Sequence, residues 1–296
     1  MAPRGRTVWL ALGVIAGVLA LFLVTVWLLM TVLEEGGLPG GQKVAVVEVE
    51  GLIIGSDDLV RELNEHKDNP SVRAVVLRVN SPGGVVAPTQ EIFSAVARVR
   101  QAGKPVVASL GAVAASGGYY VAAAADRIYA NPGTLTGSIG VVMQMANVEG
   151  LLKKVGVEYV VVKAGSFKDV GNFSRPMSAD ERRILQALLD DVYGQFVSAV
   201  AEGRGLDTQT VMGFADGRIY SGRQAKGLRM VDELGGLEEA IEGAGKLAGI
   251  PDRPKVIYPR RRFSLRDLIQ NRLGLGPASG LLPALPSLKT PLYLMD

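Results

Sequence analysis

The chain has 296 residues, is 48% hydrophobic but only 6% aromatic, and carries a formal net charge of +3, a length that suits one or two domains. It has no cysteine, which excludes disulfides, thiolate metal sites and a cysteine nucleophile together, and it has a single histidine, His66. The surplus positive charge lies at the two ends: Glu34 to Pro251 holds 22 Lys and Arg against 26 Asp and Glu, so the body lacks a basic excess and no nucleic-acid partner is expected.

Val8 to Leu33 runs 26 residues without a charge, enough to cross a hydrocarbon core with some tilt. A cleaved signal peptide would have a shorter apolar core and a small-x-small exit. Here the run ends in Leu33, Glu34, Glu35, Gly36 and Gly37, so a retained transmembrane anchor over residues 8–33 is expected. Arg4 and Arg6 precede it and the two glutamates follow. By the positive-inside rule residues 1–7 then lie in the cytoplasm and the main body outside it. Residues 34–43, rich in glycine, read as a linker.

After the linker, apolar runs alternate with polar helical stretches. Val44 to Val49 reads as a strand, Asp57 to Lys67 as a helix, and Ala74 to Val79 as the next strand. Asn80, Ser81, Pro82, Gly83 and Gly84 follow as a turn, then a helix from about Thr89 to Arg100 and a strand from Val106 to Leu110. Ile128 to Ala130, Ile139 to Met143 and Tyr159 to Val162 are further strand candidates. Such alternation predicts an α/β fold with a mostly parallel sheet covered by helices, whose loops at the strand ends carry the chemistry.

Ser178 and Glu181 form a capping-box pattern that opens a helix to about Glu202, with Ile184, Leu188, Val192, Phe196 and Val200 on one stripe: core, or a subunit contact. Gly217 to Gly236 reads as strand, helix and short strand, with Ser221 as the helix cap, and a last helix runs from Leu237 to Leu247. The domain is expected to span residues 44–250. The tail, residues 251–296, is first basic, with Arg260, Arg261 and Arg262, then Leu/Pro-rich from Gly274. Its extended apolar character suggests a substrate-like segment able to occupy a cleft.

Chemistry concentrates at Gly111 to Tyr120. Ser116 is flanked by Ala114 and Ala115 before it and Gly117 and Gly118 after it, the small-residue setting of an exposed nucleophile on a tight strand-to-helix turn. A serine hydroxyl needs a base nearby. His66 sits in a polar helix end, so composition points instead to a lysine kept neutral by burial. Of the 11 lysines, Lys168 lies in a loop after the Tyr159 to Val162 strand candidate, between Phe167 and Asp169; Lys163 is the second choice. The glycine turn offers an oxyanion hole, with one amide from Gly84 or Gly83 and one from Gly117. Ser138, in the loop Gly133 to Gly140, reads from its residues alone as a satisfied turn serine, although a hydroxyl there could orient a neutral lysine. No phosphate-binding GxxxxGK pattern occurs, and no cofactor or metal is expected.

The segments around Ser116, Ser81 to Gly84, Thr136 to Val141 and Ser166 to Asp169 together resemble the signal peptide peptidase A family in its short, single-repeat form. These are membrane-anchored Ser–Lys peptidases of the Clp-protease/crotonase-like superfamily. The resemblance runs from about Val44 to Leu247. It implies crotonase-like repeated β-β-α units, with Ser116 as nucleophile, Lys168 as general base, Ser138 as the lysine-positioning serine, and oxyanion amides from Gly117 and from Gly83 or Gly84. It further implies remnant signal peptides as substrates, cut after release from preproteins, and a homo-oligomeric ring or dome whose sites are shared between protomers. Phe167 departs from the polar neighbour expected beside the base. The competing readings are a related Ser–Lys peptidase cutting one membrane-protein partner, a crotonase-like acyl-CoA enzyme, and a non-catalytic membrane scaffold.

Overall fold

The computed structural model describes residues 13–27, 42–259 and 292–294. The chain divides into two units, Met1–Gly41 and Gln42–Asp296. In the first, residues 13–27 form helix α1, whose apolar side chains, among them Leu19, Phe22 and Trp27, are exposed. Among the described residues no helix is long and apolar enough to cross a membrane. The expected anchor extends beyond α1 on both sides, and those flanks lie outside the described residues, as do residues 34–41 of the linker and 260–291 and 295–296 of the tail.

The second unit begins with three strand–helix pairs: β1 (Lys43–Ile53) and α2 (Asp57–Asp68), β2 (Val72–Val85) and α3 (Val86–Gln101), then β3 (Val106–Ala115) and α4 (Gly117–Ala123). Two short strands follow, β4 (Arg127–Ala130) and β5 (Leu135–Gly137), then α5 (Glu149–Lys154), the long α6 (Ala179–Arg204) and α7 (Thr208–Met212). The chain continues through β6 (Ile219–Ser221), α8 (Gly222–Gly227), β7 (Glu233–Leu234), α9 (Leu237–Leu247) and β8 (Lys255–Ile257), and the last described element is β9 (Leu292–Leu294).

All these strands join one sheet whose main path is β6-β5-β3-β2-β1-β8. Every pairing is parallel except β5 with β6 and β2 with β9. The central strands are apolar on both faces, as a sheet covered on both sides requires. Ala45, Val47 and Val49 of β1, with Val75, Leu77 and Val79 of β2, belong to the larger core with α2, α3 and α4. Their alternating neighbours Val44, Val46, Ala74 and Val76 pack beneath Ala240, Ile241 and Ala244 of α9. Period-two alternation thus assigns each side chain to one of two helix layers. Each fully buried valine contributes roughly 1.5–3 kcal/mol, so these strands are the rigid scaffold of the molecule.

Two features of the sheet shape the site. Register breaks occur at the same level in adjacent strands, between Glu50 and Leu52 of β1 and between Val79 and Ser81 of β2, and local twist increases at such breaks. The sheet also forks at β3. Residues 107–110 pair with β4, whereas Val113, Ala114 and Ala115 pair with β5. The end of β3 is thereby steered away from β4 and delivers Ser116 beside Gly137.

Several elements differ from the sequence expectation. The Asn80 to Gly84 segment is not a turn at a strand end but continues β2 to Val85, because β1 pairs with it through Leu52 and Ile53. Ile139 to Met143 and Tyr159 to Val162 are not strands. Residues 157–162 are exposed despite their valines, so their apolar character reflects an uncovered surface of the single chain. On α6, Val192, Phe196 and Val200 are buried while Ile184 and Leu188 are exposed, so the expected stripe is core only in its second half. The Ser178 capping box forms, as does that of Ser221.

Candidate active site

Ser116 occupies a backbone conformation, φ 52° and ψ −119°, that costs a non-glycine residue of order 1–3 kcal/mol and persists only where the surroundings impose it. Here they do: the Ser116 amide donates to the Gly137 carbonyl at 2.8 Å, and the Ser116 carbonyl accepts from the Tyr120 amide at 2.8 Å. The side chain is fully buried. Its Oγ has no hydrogen-bond partner, alone among buried side-chain nitrogen and oxygen atoms of the described residues. Leaving a buried hydroxyl unpaired costs about 1–3 kcal/mol. Strain and an orphaned hydroxyl on one residue, both against the grain of stability, mark a group held ready for something absent from the chain.

The glycines around it are there because no side chain fits. A Cβ on Gly117 would come within 3.2 Å of both the Gly83 Cα and the Gly84 nitrogen, and one on Gly118 within 2.6 Å of the Ser81 carbonyl oxygen. A Cβ on Gly84 would run into the Ile53 carbonyl. The two glycine pairs are therefore in backbone contact, and the Ser81 to Gly84 segment lies directly against the start of α4. Gly83, at φ 110°, donates its amide to the Ser81 Oγ at 3.1 Å, and Ser81 is fully buried. Thr89, also buried, donates its hydroxyl to the Val85 carbonyl at 2.8 Å and lies beside Gly117. Ser81 entered the sequence reading only as part of the turn and Thr89 only as a helix start; their supporting roles depend on contacts that spacing does not reveal.

Ser138 is brought to the same place. Its predecessor Gly137 accepts from the Ser116 amide, its own amide donates to the Arg218 carbonyl at 2.9 Å, and it too has a positive φ, 51°. A cleft of about 580 Å³ opens beside it, lined among others by Ile139, Val141, Asp190, Tyr193 and Asp216. The structure thus gathers Ser116, Gly117, Gly83, Gly84 and Ser138 into one constellation.

Lys168 is not in it. The residue is exposed, in the loop between α5 and α6, and since Ser116 Oγ has no partner the lysine of the same chain does not reach it. Lys163 is committed elsewhere: its ammonium is ion-paired with Asp169 and donates to the Ser166 carbonyl at 2.8 Å. Asp169 in turn accepts from Arg175 Nε at 3.1 Å, and Arg175 Nη1 donates to the buried Glu181 at 2.9 Å. The hydrogen bond from Lys163, aided by Arg175, brings the Asp169 carboxyl down to about 2. The Arg175 guanidinium, with the Ser178 amide, does the same for Glu181, also to about 2. Asp169, next in sequence to Lys168, thus spends its charge on Lys163 and Arg175. Burial lowers the value of Lys104, yet its amine is held by the His66 and Asn69 carbonyls at 2.8 and 2.6 Å, as a cap on α2. His66 Nε2 lies 3.8 Å from the Glu62 carboxylate. No cluster of metal-ligating side chains occurs among the described residues.

A strained, unpartnered serine at the end of β3, against the glycines of β2 and beside the fork of a parallel sheet, is an arrangement that the serine-hydrolase class uses. Comparison with known proteins narrows the class: residues 98–251 match the model of peptidase family S49. The chain is 46% identical over 214 residues to a protein of Synechocystis sp. named as a protease, covering 72% of this chain and 77% of that one. It is 34% identical over 239 residues to an Enterococcus faecium protein named signal peptide peptidase SppA, covering 76% and 69%. It is 37% identical over 224 residues to Protease 4 of Haemophilus influenzae, covering 73% of this chain but only 36% of that protein. The chain belongs to peptidase family S49 and is a serine peptidase of mixed α/β fold.

Proposed function

We infer that the protein is a membrane-bound serine endopeptidase that degrades remnant signal peptides after their release from preproteins, with Ser116 as nucleophile and Lys168 as general base. The observation that carries this reading is Ser116 itself: buried, at φ 52°, its hydroxyl unpartnered, its backbone set between Gly117 at the start of α4 and the glycines of β2. In the reaction Ser116 Oγ attacks the scissile carbonyl carbon and passes its proton to the neutral lysine amine, which returns it to the leaving amine. Water then hydrolyses the acyl-enzyme with the lysine again as base. The oxyanion is held by the Gly117 amide and a second amide from the Ser81 to Gly84 segment. Of the two candidates Gly84 is favoured, because the Gly83 amide already donates to Ser81 Oγ while the Gly84 nitrogen lies against Gly117.

The exposed position of Lys168 and the missing partner of Ser116 support a site completed between two copies of the chain. The base arrives from a neighbouring protomer, and Ser138, beside the open cleft, orients it. Exposed Val157, Val160, Val162 and Phe167 on the lysine-bearing loop, with Ile184 and Leu188 of α6, supply the apolar surface for such a contact. The charge-free run from Val8 to Leu33 supports a single-pass anchor in the cell membrane with a cytoplasmic amino terminus and an extracytoplasmic catalytic domain. The basic stretch at residues 252–272 suits an anionic membrane surface.

A fluorophosphonate probe applied to the detergent-solubilised full chain tests the chemistry. Labelling confined to Ser116 and abolished in Ser116→Ala is expected; labelling that persists in that variant contradicts the assignment. A panel of signal peptides set against membrane-protein segments tests the substrate class, with faster cleavage of the signal peptides expected.

A further inference from the structure

The residue that follows Lys168 is an acid. A carboxylate beside an amine favours the protonated form of the amine, so Asp169 is an adverse neighbour for a lysine that must act while neutral. The loop sets two cations against it, Lys163 six residues before and Arg175 six residues after. Lys163 pairs with Asp169 Oδ1, and Arg175 Nε donates to Asp169 Oδ2 at 3.1 Å. Both oxygens of the largely buried carboxylate are thereby engaged.

The cations are themselves fixed. Arg175 Nη1 donates to the Pro176 carbonyl at 3.1 Å and, together with Nη2, grips the carboxylate of Glu181. Glu181 is buried in the first turn of α6 and also accepts from the Ser178 amide at 2.8 Å. Lys163 Nζ donates in addition to the Ser166 carbonyl at 2.8 Å. Two carboxylates thus meet two cations, and the cluster is neutral. Lys168 is exposed and is not a member of it. The other charges on the elements packed against the loop are outside the cluster. On α5, which the loop meets where the Val148 amide donates to the Phe173 carbonyl, Glu149 pairs with Lys153, and on α6 Asp180 pairs with Arg183. Lys154, Glu158 and Arg182 are exposed. The backbone around Lys168 is held as well: its amide donates to the Gly165 carbonyl at 3.2 Å, and the Asn172 amide donates to the Asp169 carbonyl at 3.1 Å.

We propose that Lys163 and Arg175 are positioning residues for the base: by engaging Asp169 they keep an uncompensated anion from standing beside Lys168, and so set the pH at which its amine can take the Ser116 proton. The proposal rests on the reading of Lys168 as general base. Asp169 is an anion throughout the neutral range, its carboxyl held down to about 2 by the Lys163 hydrogen bond with help from Arg175. What a substitution changes is the charge that faces it. With either cation removed, the cluster carries one net negative charge next to Lys168; with Asp169 made neutral, it carries one net positive charge. A unit charge at the separation of neighbouring side chains moves an ionisation by about 0.5–1 pH unit in a partly exposed site.

The test is the pH dependence of kcat/KM for the detergent-solubilised full chain. Lys163→Met and Arg175→Met are each expected to move the ascending limb up by about 0.5–1 unit, a loss of about three- to tenfold at a fixed pH below the limb, with the high-pH plateau retained. Arg175→Lys keeps the charge and is expected to leave the limb in place. Asp169→Asn is expected to move it down by a similar amount. Limbs that stay in place while the plateau falls would show a cluster that only holds the loop, and would overturn the proposal. A shift in the same direction in Lys163→Met and Asp169→Asn would overturn it too, and this pair keeps the test open should Arg175→Met fail to fold. Lys168→Ala is run alongside. Cleavage that survives there with the same limb defeats the reading of the base itself. Cleavage that is lost with Lys168, in an enzyme whose limb ignores the other variants, defeats only the proposal.

Discussion

At the scale of single residues, Ser116 shows stability given up for readiness. Its φ of 52° belongs to glycine, and its buried hydroxyl lacks a partner, two costs that together exceed what most single side chains contribute to a fold. Ser116→Gly removes both. Even after the greater chain entropy of glycine is charged against it, the variant is expected to be inactive yet more stable by about 1 kcal/mol, visible as a raised Tm. A lowered Tm would mean that the conformation is not strained. The sequence pattern placed this serine on a tight strand-to-helix turn because small residues before and after it leave few other ways to build one. Ser81 illustrates the opposite: its hydroxyl fixes the Gly83 amide, but a serine before Pro-Gly-Gly reads the same whether it does so or faces solvent.

At the scale of elements, the strands of the core were legible because both faces are buried and their sequences are continuous apolar runs. Helices α2, α6 and α9 were expected within a few residues of where they lie, α6 through its capping box. What escaped was the reach of β2 and β3 beyond their apolar runs, since Asn80 to Gly84 and Gly111 to Ala115 are held as strand by neighbours and not by propensity. The valines of residues 157–162 misled for the converse reason: they imitate a buried strand while lying on the surface of the isolated chain. The loop that carries them is tied to α6 by Lys163, Asp169, Arg175 and Glu181. Asp169 and Glu181 both titrate at about 2 in the folded chain, below their ordinary 3.8 and 4.5. Their stabilising contribution is therefore complete above those ordinary values and is lost as pH falls toward 2. Amide protection factors over residues 163–181 are expected to fall across that window. In Arg175→Ala, which removes a principal cause of both shifts, the loss is expected to begin at higher pH. Protection that stays constant from neutral pH to 2 would show that the cluster does not hold the loop.

At the scale of the whole molecule, one chain brings Ser116, Gly117, Gly84 and Ser138 together and displays Lys168 on an exposed loop that its own serine does not meet. Half of the proposed dyad thus lies in each of two places, and the apolar surface around Lys168 is uncovered where a second copy would sit. The proposed membrane anchor would suit this arrangement, because confinement to a plane raises the local concentration of copies. In the proposed ring, closed cyclic symmetry would repeat one serine–lysine contact between neighbours.

Mixing two inactive variants, Ser116→Ala and Lys168→Ala, tests this most directly, with subunit exchange verified by a label on each. Neither alone should cleave peptide. In a randomly mixed equimolar ring about one quarter of the contacts join an intact serine to an intact lysine, so recovery of roughly that fraction of wild-type activity is the predicted result. Exchange without any recovered activity would contradict a site built from two chains.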